Sequence, residues 1–269
     1  MRIWGKARRW FLRVMYKLKQ DRYKNITCLL RNKKSKSDVL IAVFSGFSPK
    51  GAAPRYNYGE TLKKVDAMQV FLLDDTGYNK AGSYYLGENG TWYIPEQICQ
   101  LISELMERYK KNAVLTCGSS KGGTAAVYYG LRLNATAVII GAPQYLIGNY
   151  LNTPDHRVIL EKILGSITEE GINRLNSLLE DEIRHYSNTD QKPSFYIHYL
   201  PLEHTYHEHI DKLISELREN NYPLELDCSE AYENHADVGR FFQKYLVETC
   251  FKRFRQRFLD TFQIMCTES

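Results

Sequence analysis

Short apolar runs alternate along the chain with stretches in which apolar residues return every three or four positions. The runs cover 38–45, 68–75, 112–118, 136–144, 194–200 and 223–229. Strand and helix signals alternating in this way predict an α/β fold, with a mostly parallel sheet and helices on both faces. Between the second and third runs, Ile94-Pro95 opens a helix whose Ile98, Leu101, Ile102, Leu105, Met106 and Tyr109 share one face. Proline is tolerated there because the N–H groups of a helix's first turn have no intrahelical partner. Residues 23–31 add the signal of an antiparallel edge strand. Residues 145–190 differ, with helical patterns over 158–164 and 172–186 and no strand. Long connections between strands usually have a function, and this one is placed where a helical cap could cover a site. An ordinary crossover with an extra helix is the plainer alternative. Residues 247–265 are amphipathic again, with Lys252, Arg253, Arg255 and Arg257 interleaved with Phe251, Phe254, Phe258 and Phe262. The expected organisation is a basic amphipathic arm over 1–36, an α/β domain over 37–250 that includes the insertion at 145–190, and a basic amphipathic helix over 251–269.

The most informative stretch is Gly118-Ser119-Ser120-Lys121-Gly122. The run Ala113-Val114-Leu115-Thr116-Cys117 before it reads as a buried strand, and Gly123 to Leu131 after it reads as a helix opening on small residues. A serine at so sharp a strand-to-helix turn has a strained backbone, and only small neighbours two residues away leave room for it. The following helix N-terminus aims free N–H groups at a reacting oxygen. Ser120 is therefore the candidate nucleophile. Ser119 sits at the second position of the pentad, where a side chain faces away from the pocket. A phosphate-binding loop is excluded, because its motif ends in Gly-Lys-Ser/Thr and here the lysine precedes the glycine pair.

A serine hydroxyl needs a base, and the base needs an acid to hold its tautomer. Partners belong at the ends of later strands, acid before histidine. His235 alone among the seven histidines follows the last predicted strand. Glu203 lies closest to the end of the 194–200 run, whereas Glu208 and Asp211 would already be on the next helix. The oxyanion hole needs two backbone donors: Lys121, after the nucleophile, and Gly46 or Phe47 in the loop after the first run. Tyr84, Tyr85 and His204 are candidate substrate contacts, although core or surface tyrosines are an equally good account in a chain with 20 of them. His204, His207 and His209 invite a metal reading, but the His-Glu-x-x-His order is absent and no cysteine lies close. No metal is expected. Asp74-Asp75 is the one pair that a nucleotide-sugar glycosyltransferase could use, and it is a poor one.

Composition narrows the field further. With 269 residues, 43% hydrophobic and 25% charged, the chain has ordinary globular composition. No stretch approaches the roughly 18 apolar residues of a membrane span, and basic residues interrupt the N-terminal apolar positions too often for a signal peptide. The six cysteines show no paired spacing, and Cys99, Cys117 and Cys228 fall in apolar patterns, so buried free thiols and a reducing, cytoplasmic setting are expected. Residues 1–36 hold 13 Lys and Arg against Asp21 alone, a net +12 that leaves the remainder at −7 with 23 basic and 30 acidic residues. Arg2, Lys6, Arg9, Arg13 and Lys17 recur at helical spacing beside Ile3, Trp4, Ala7, Trp10, Phe11, Val14 and Leu18. This arm suits either the inner face of an anionic membrane or, equally, packing on its own domain, a protein partner or a second subunit with the basic face solvated. Nucleic acid is a poor match, since the positive charge does not extend into the body.

The elbow at 118–122, the strand-end loop at Gly46-Phe47, the acid region Glu203-His204-Thr205-Tyr206 and the late His235 together resemble the α/β-hydrolase superfamily over approximately residues 37–250. Gly-Ser-Ser-Lys-Gly-Gly-Thr-Ala-Ala and Asn-His-Ala-Asp-Val-Gly-Arg-Phe-Phe look like bacterial capsule-biosynthesis proteins and the acetyltransferases of accessory secretion systems. The resemblance implies Ser-His-acid acyl transfer on a carbohydrate: a serine esterase or O-acyltransferase, with His235 deprotonating Ser120 and Glu203 orienting His235. No bound cofactor is expected, and an acyl donor such as acetyl-CoA is compatible with that chemistry. The chain departs from such enzymes in carrying a basic arm where their first strands usually stand. A non-catalytic scaffold in a membrane-associated glycan or secretion assembly is the rival reading, because a fold does not establish an activity.

Overall fold

The computed structural model describes residues 20–48, 52–229 and 234–259. Among these residues eight strands form one sheet: β1 (Asp21–Tyr23), β2 (Ile26–Arg31), β3 (Val39–Phe44), β4 (Met68–Leu73), β5 (Ala113–Ser119), β6 (Ala137–Gly141), β7 (Ser194–Tyr199) and β8 (Leu224–Cys228). Their order is β1-β2-β4-β3-β5-β6-β7-β8, with β2 antiparallel to both its neighbours and every other pair from β4 to β8 parallel. All six apolar runs became strands. The run at 136–144 overshoots, since β6 stops at Gly141 and Ala142-Pro143-Gln144 turns into a loop. The edge-strand signal at 23–31 corresponds to β2 and its partner β1, so the sheet reaches back into the segment assigned to the basic arm. The helical pattern over residues 1–19 lies outside the described residues.

Among the described residues seven α-helices flank the sheet: α1 (Ile94–Arg108), α2 (Lys121–Arg132), α3 (Ile147–Leu151), α4 (Arg157–Leu164), α5 (Glu169–His185), α6 (Asp211–Glu219) and α7 (Val238–Leu259). In the parallel strands, successive side chains point to opposite faces. Leu40, Ala42, Phe44, Val114, Val138 and Ile140 therefore join one core, with α1, α2 and α5. Val39, Ile41, Val43, Leu115, Cys117 and Ile139 join another, covered by Phe242, Leu246 and Cys250 of α7. The two-sided cover explains why these strands read as continuous apolar runs. α7 is continuous across residue 250, so the boundary expected there falls inside a helix whose first half is core. The thiols of Cys28, Cys117 and Cys250 are buried and that of Cys99 is half-buried, but Cys228, expected in the interior, is exposed at the end of the edge strand β8.

The insertion folds as α3, α4 and α5. Thr168 caps α5 by accepting from Gly171 N–H at 3.1 Å, and Glu169 and Glu170 lie in its first turn, where the helix dipole favours negative charge. The insertion reaches the loop after β3 through a row of rings. His156 stacks on Phe47 with 5.7 Å between centroids and on Tyr150 with 4.9 Å, and Tyr150 meets His209 edge-on at 5.8 Å.

Candidate active site

The parallel strands end on one side of the sheet, where β3 gives way to Ser45-Gly46-Phe47, β5 to Ser120 and β7 to the turn holding Glu203. In open α/β sheets this carboxyl edge is where ligands bind. Ser120 has φ 52° and ψ −129°, a left-handed conformation costly for any residue but glycine. The turn is held by its N–H donating to Gly141 C=O at 2.8 Å, and α2 starts at once, its first intrahelical bond running from Thr124 N–H to Ser120 C=O at 3.0 Å. The flanking glycines are sterically required. A Cβ at Gly118 would lie 2.3 Å from Gly122 C=O, and one at Gly122 would lie 2.4 Å from Phe44 C=O.

Three side chains that the sequence brought forward meet here. His235, in a short turn between β8 and α7, has Nε2 at 2.8 Å from Ser120 Oγ. Its Nδ1–H donates to Glu203 Oε1, which also accepts from Thr205 Oγ1–H. The Glu203 side chain is wholly buried, whereas His235 keeps 18% of its side-chain surface and Ser120 is half-buried, so this hydrogen-bonded chain opens outward at its serine end. Glu208 and Asp211, the weaker candidates for the acid, are exposed. A carboxylate accepts only, so Nδ1 must carry the imidazole proton and Nε2 must present a lone pair to Ser120. Ser119, as its position predicts, points elsewhere and bonds the Tyr58 hydroxyl.

The surroundings change several expectations. Gly46 N–H, a candidate oxyanion donor, already donates to Asn57 Oδ1 at 3.0 Å. Lys121 N–H belongs to the opening turn of α2, while the lysine's side chain turns away into a buried ion pair with Asp74, Nζ to Oδ2 2.9 Å. The Phe47 ring packs between that ammonium, 4.8 Å from its centroid, and His156. Tyr85 is a core residue rather than a substrate contact, because its hydroxyl is bound to Ser45 and to Leu72 C=O, and burial pushes its pKa well up. His204 is exposed on the turn. Tyr84 does connect with the site, donating to Gln144 Oε1 at 3.2 Å. Gln144 had drawn no attention in the sequence, where it closes an apolar run. It is fully buried, with Nε2 at 3.0 Å from Ser120 Oγ and 3.5 Å from His235 Nε2. His209, one of the imidazoles considered for a metal, is buried and accepts Leu146 N–H on Nδ1 at 3.2 Å, and burial lowers its pKa to about 4. Asp74 is held by Lys121, Thr76, Ser83 and Tyr85, which removes it from any nucleotide-sugar role. Among the described residues no group of three or more His, Cys, Asp and Glu side chains is arranged to hold a metal ion, and no helix is long and apolar enough to cross a membrane.

Residues 42–224 match the sequence profile of the accessory Sec system GspB-transporter family. The chain belongs to that family. An accessory Sec system protein of Staphylococcus aureus (strain NCTC 8325 / PS 47) is 34% identical over 89 residues, and the match spans 32% of this chain and 16% of that protein's length. Among solved structures, this accessory Sec family member is similar to the capsule O-acetyltransferase of Neisseria meningitidis serogroup A, with TM-score 0.67 and 22% identity over 85% of this chain and 93% of the other. A fluorophosphonate-binding serine hydrolase of Staphylococcus aureus gives TM-score 0.60 at 13% identity, covering 83% and 91%. The fold of this accessory Sec family member is that of the α/β-hydrolases.

Proposed function

We propose that this chain is a serine-dependent acyl-transfer enzyme, an esterase or O-acetyltransferase acting on a bacterial surface glycan or its precursor. The observation that carries the reading is the continuous path from Ser120 Oγ through His235 to the buried carboxylate of Glu203. In the first half-reaction His235 Nε2 takes the proton of Ser120 as Oγ attacks the acyl carbonyl. The developing oxyanion is met by backbone donors at the start of α2, led by Lys121 N–H, and Phe47 N–H is the second donor, since Gly46 N–H is engaged with Asn57. His235 then returns the proton to the leaving group. In the second half-reaction it takes a proton from water or a sugar hydroxyl, which attacks the acyl-enzyme. Glu203 holds the tautomer and the ring orientation throughout. Support for an acetyl donor comes from the N. meningitidis capsule O-acetyltransferase, of which a structure in complex with CoA is known. In this reading α3 to α5 form the cap, the basic arm brings the enzyme to the cytoplasmic face of the membrane or to a protein of the accessory secretion system, and no nucleic acid is involved.

The family favours a second reading, a non-catalytic hydrolase-fold component of a secretion assembly. Intact-mass measurement of labelling by a fluorophosphonate separates the two. One adduct on the native chain, absent in Ser120→Ala and at least about a hundredfold slower in His235→Ala, is expected for an activated serine. A cooperatively folded native protein that takes up no label would overturn the enzymatic reading in favour of the scaffold.

A further inference from the structure

Gln144 makes a contact that the acyl-transfer scheme above does not use. Its loop leaves β6 through Ala142-Pro143 and is pinned twice at Thr124: Gln144 N–H donates to Thr124 Oγ1 at 2.9 Å, and Thr124 Oγ1–H donates to Gln144 C=O at 2.9 Å. The side-chain amide is held by Tyr84 at one end and touches the reacting atoms at the other. Its orientation follows from the relay. Because Glu203 accepts from His235 Nδ1–H, the Nε2 of His235 is a lone pair. An amide oxygen facing that lone pair would be repelled, whereas the amide NH2 is tolerated beside it and donates to Ser120 Oγ, and Tyr84 O–H then donates to Oε1. Since NH2 only donates, Ser120 Oγ accepts from Gln144 and must direct its own proton to His235. The three polar atoms form a triangle of 2.8 Å (Ser120 Oγ to His235 Nε2), 3.0 Å (Gln144 Nε2 to Ser120 Oγ) and 3.5 Å (Gln144 Nε2 to His235 Nε2).

The second substrate's oxygen must reach both His235 Nε2 and the acyl carbon on Ser120 Oγ, and Gln144 Nε2 lies 3.5 Å from the first nitrogen and 3.0 Å from Oγ. We propose that Gln144 is the catalytic residue that positions the acceptor hydroxyl, an inference that rests on the acyl-transfer reading. In the free enzyme its NH2 orients Ser120. Once Oγ carries the acyl group it becomes an ester oxygen, a poorer acceptor, and the amide N–H donates instead to the incoming hydroxyl oxygen. That oxygen then has its proton directed at His235 Nε2 and a lone pair directed at the acyl carbon. The new O–C bond forms as the proton passes to Nε2. Collapse of the tetrahedral intermediate breaks C–Oγ, and the proton on Nε2 returns to Ser120 Oγ. Gln144 gains and loses nothing.

The role is read in the second half-reaction. With p-nitrophenyl acetate the release of nitrophenol reports acylation and intact mass reports the lifetime of the acetyl-enzyme. Gln144→Met keeps the length and removes both donors. It is expected to lengthen the acetyl-enzyme lifetime about tenfold, the loss of one hydrogen bond in a transition state, while acylation slows severalfold less. Tyr84→Phe, which removes one oxygen and leaves Gln144 in place, is expected to shift the lifetime in the same direction by a smaller factor. Acylation and deacylation slowed equally in both variants would assign Gln144 to packing and overturn the inference, as would an unchanged lifetime in both. A folded native chain that forms no acetyl-enzyme would overturn the acyl-transfer reading itself, and this inference with it.

Discussion

Asp74 and Glu203 are both carboxylates withdrawn from solvent beside the same elbow, one paired with Lys121 and the other with His235. Asp74 is satisfied on both oxygens: Oδ1 accepts from Thr76 Oγ1–H at 2.9 Å and Ser83 N–H at 3.0 Å, and Oδ2 from Lys121 Nζ at 2.9 Å and Tyr85 N–H at 3.3 Å. Glu203 places His235 and Thr205 on one oxygen, and its buried Oε2 has no hydrogen-bond partner among the described residues. A buried polar atom without a partner weakens a fold. The aspartate's partner is a lysine buried with it in an ion pair, which ties the start of α2 to the loop after β4. In the proposed acyl transfer the glutamate's partner gains and loses a proton while keeping its ring in place, so on that reading one carboxylate stabilises and the other orients.

The largest effects should separate the two. Glu203→Gln is expected to lower acyl-transfer turnover on the order of 10³-fold while changing unfolding free energy by less than about 1 kcal/mol, since it removes a charge that the fold satisfies only in part. Asp74→Asn leaves Lys121 as a buried cation without its counter-ion and is expected to cost about 3–5 kcal/mol in urea unfolding. Equal stability losses in the two variants would end the contrast between them. The next effect concerns the packing that the ion pair helps to hold. Gly122→Ala drives a methyl group to 2.4 Å from Phe44 C=O, and about 1–3 kcal/mol of destabilisation with slower fluorophosphonate labelling is expected. Gly239, also in the first turn of a helix, would place its Cβ 3.6 Å from the Tyr58 hydroxyl, so Gly239→Ala should be neutral or mildly stabilising. A harmless Gly122→Ala would show that the elbow tolerates a wider turn.

The smallest effect is a pH dependence on the glutamate's side. Burial lowers His209 from 6.5 to about 4, against the charges of Glu208 and Glu203 that raise it and those of His235 and Lys212 that lower it further. Between those pH values the unfolded chain binds the proton and the folded chain does not, so stability should fall as pH drops from 6.5 towards 4 and this contribution should level off below. His209→Gln should flatten that slope in urea titrations at several pH values. An unchanged slope would place the acid sensitivity elsewhere.

What was legible in the sequence lies in local patterns. Six largely apolar runs give the parallel sheet its strands, most continuously in β3, β5 and β6, where both faces are covered. The elbow is legible because a strand-to-helix turn as sharp as that at Ser120 admits only glycine at 118 and 122. Chain order pointed to Glu203 and His235, since both follow strand ends. Gln144 was not legible: a buried amide at the close of an apolar run carries no mark of what it faces. Nor was the engagement of Gly46 by Asn57, or the burial of Tyr85, because two neighbouring tyrosines have the same local signal whether they line a pocket or fill a core.

The sequence by itself therefore determined which elements form, the order in which they come and the turn that exposes Ser120, all of which depend on residues within a few positions of one another. The tertiary structure alone decided which polar atoms meet. Ser120 and His235 are 115 residues apart and His235 and Glu203 are 32 apart, and a hydrogen bond depends on tenths of an ångström and on direction. Only the packed sheet, with the α3 to α5 insertion seated against it, fixes those.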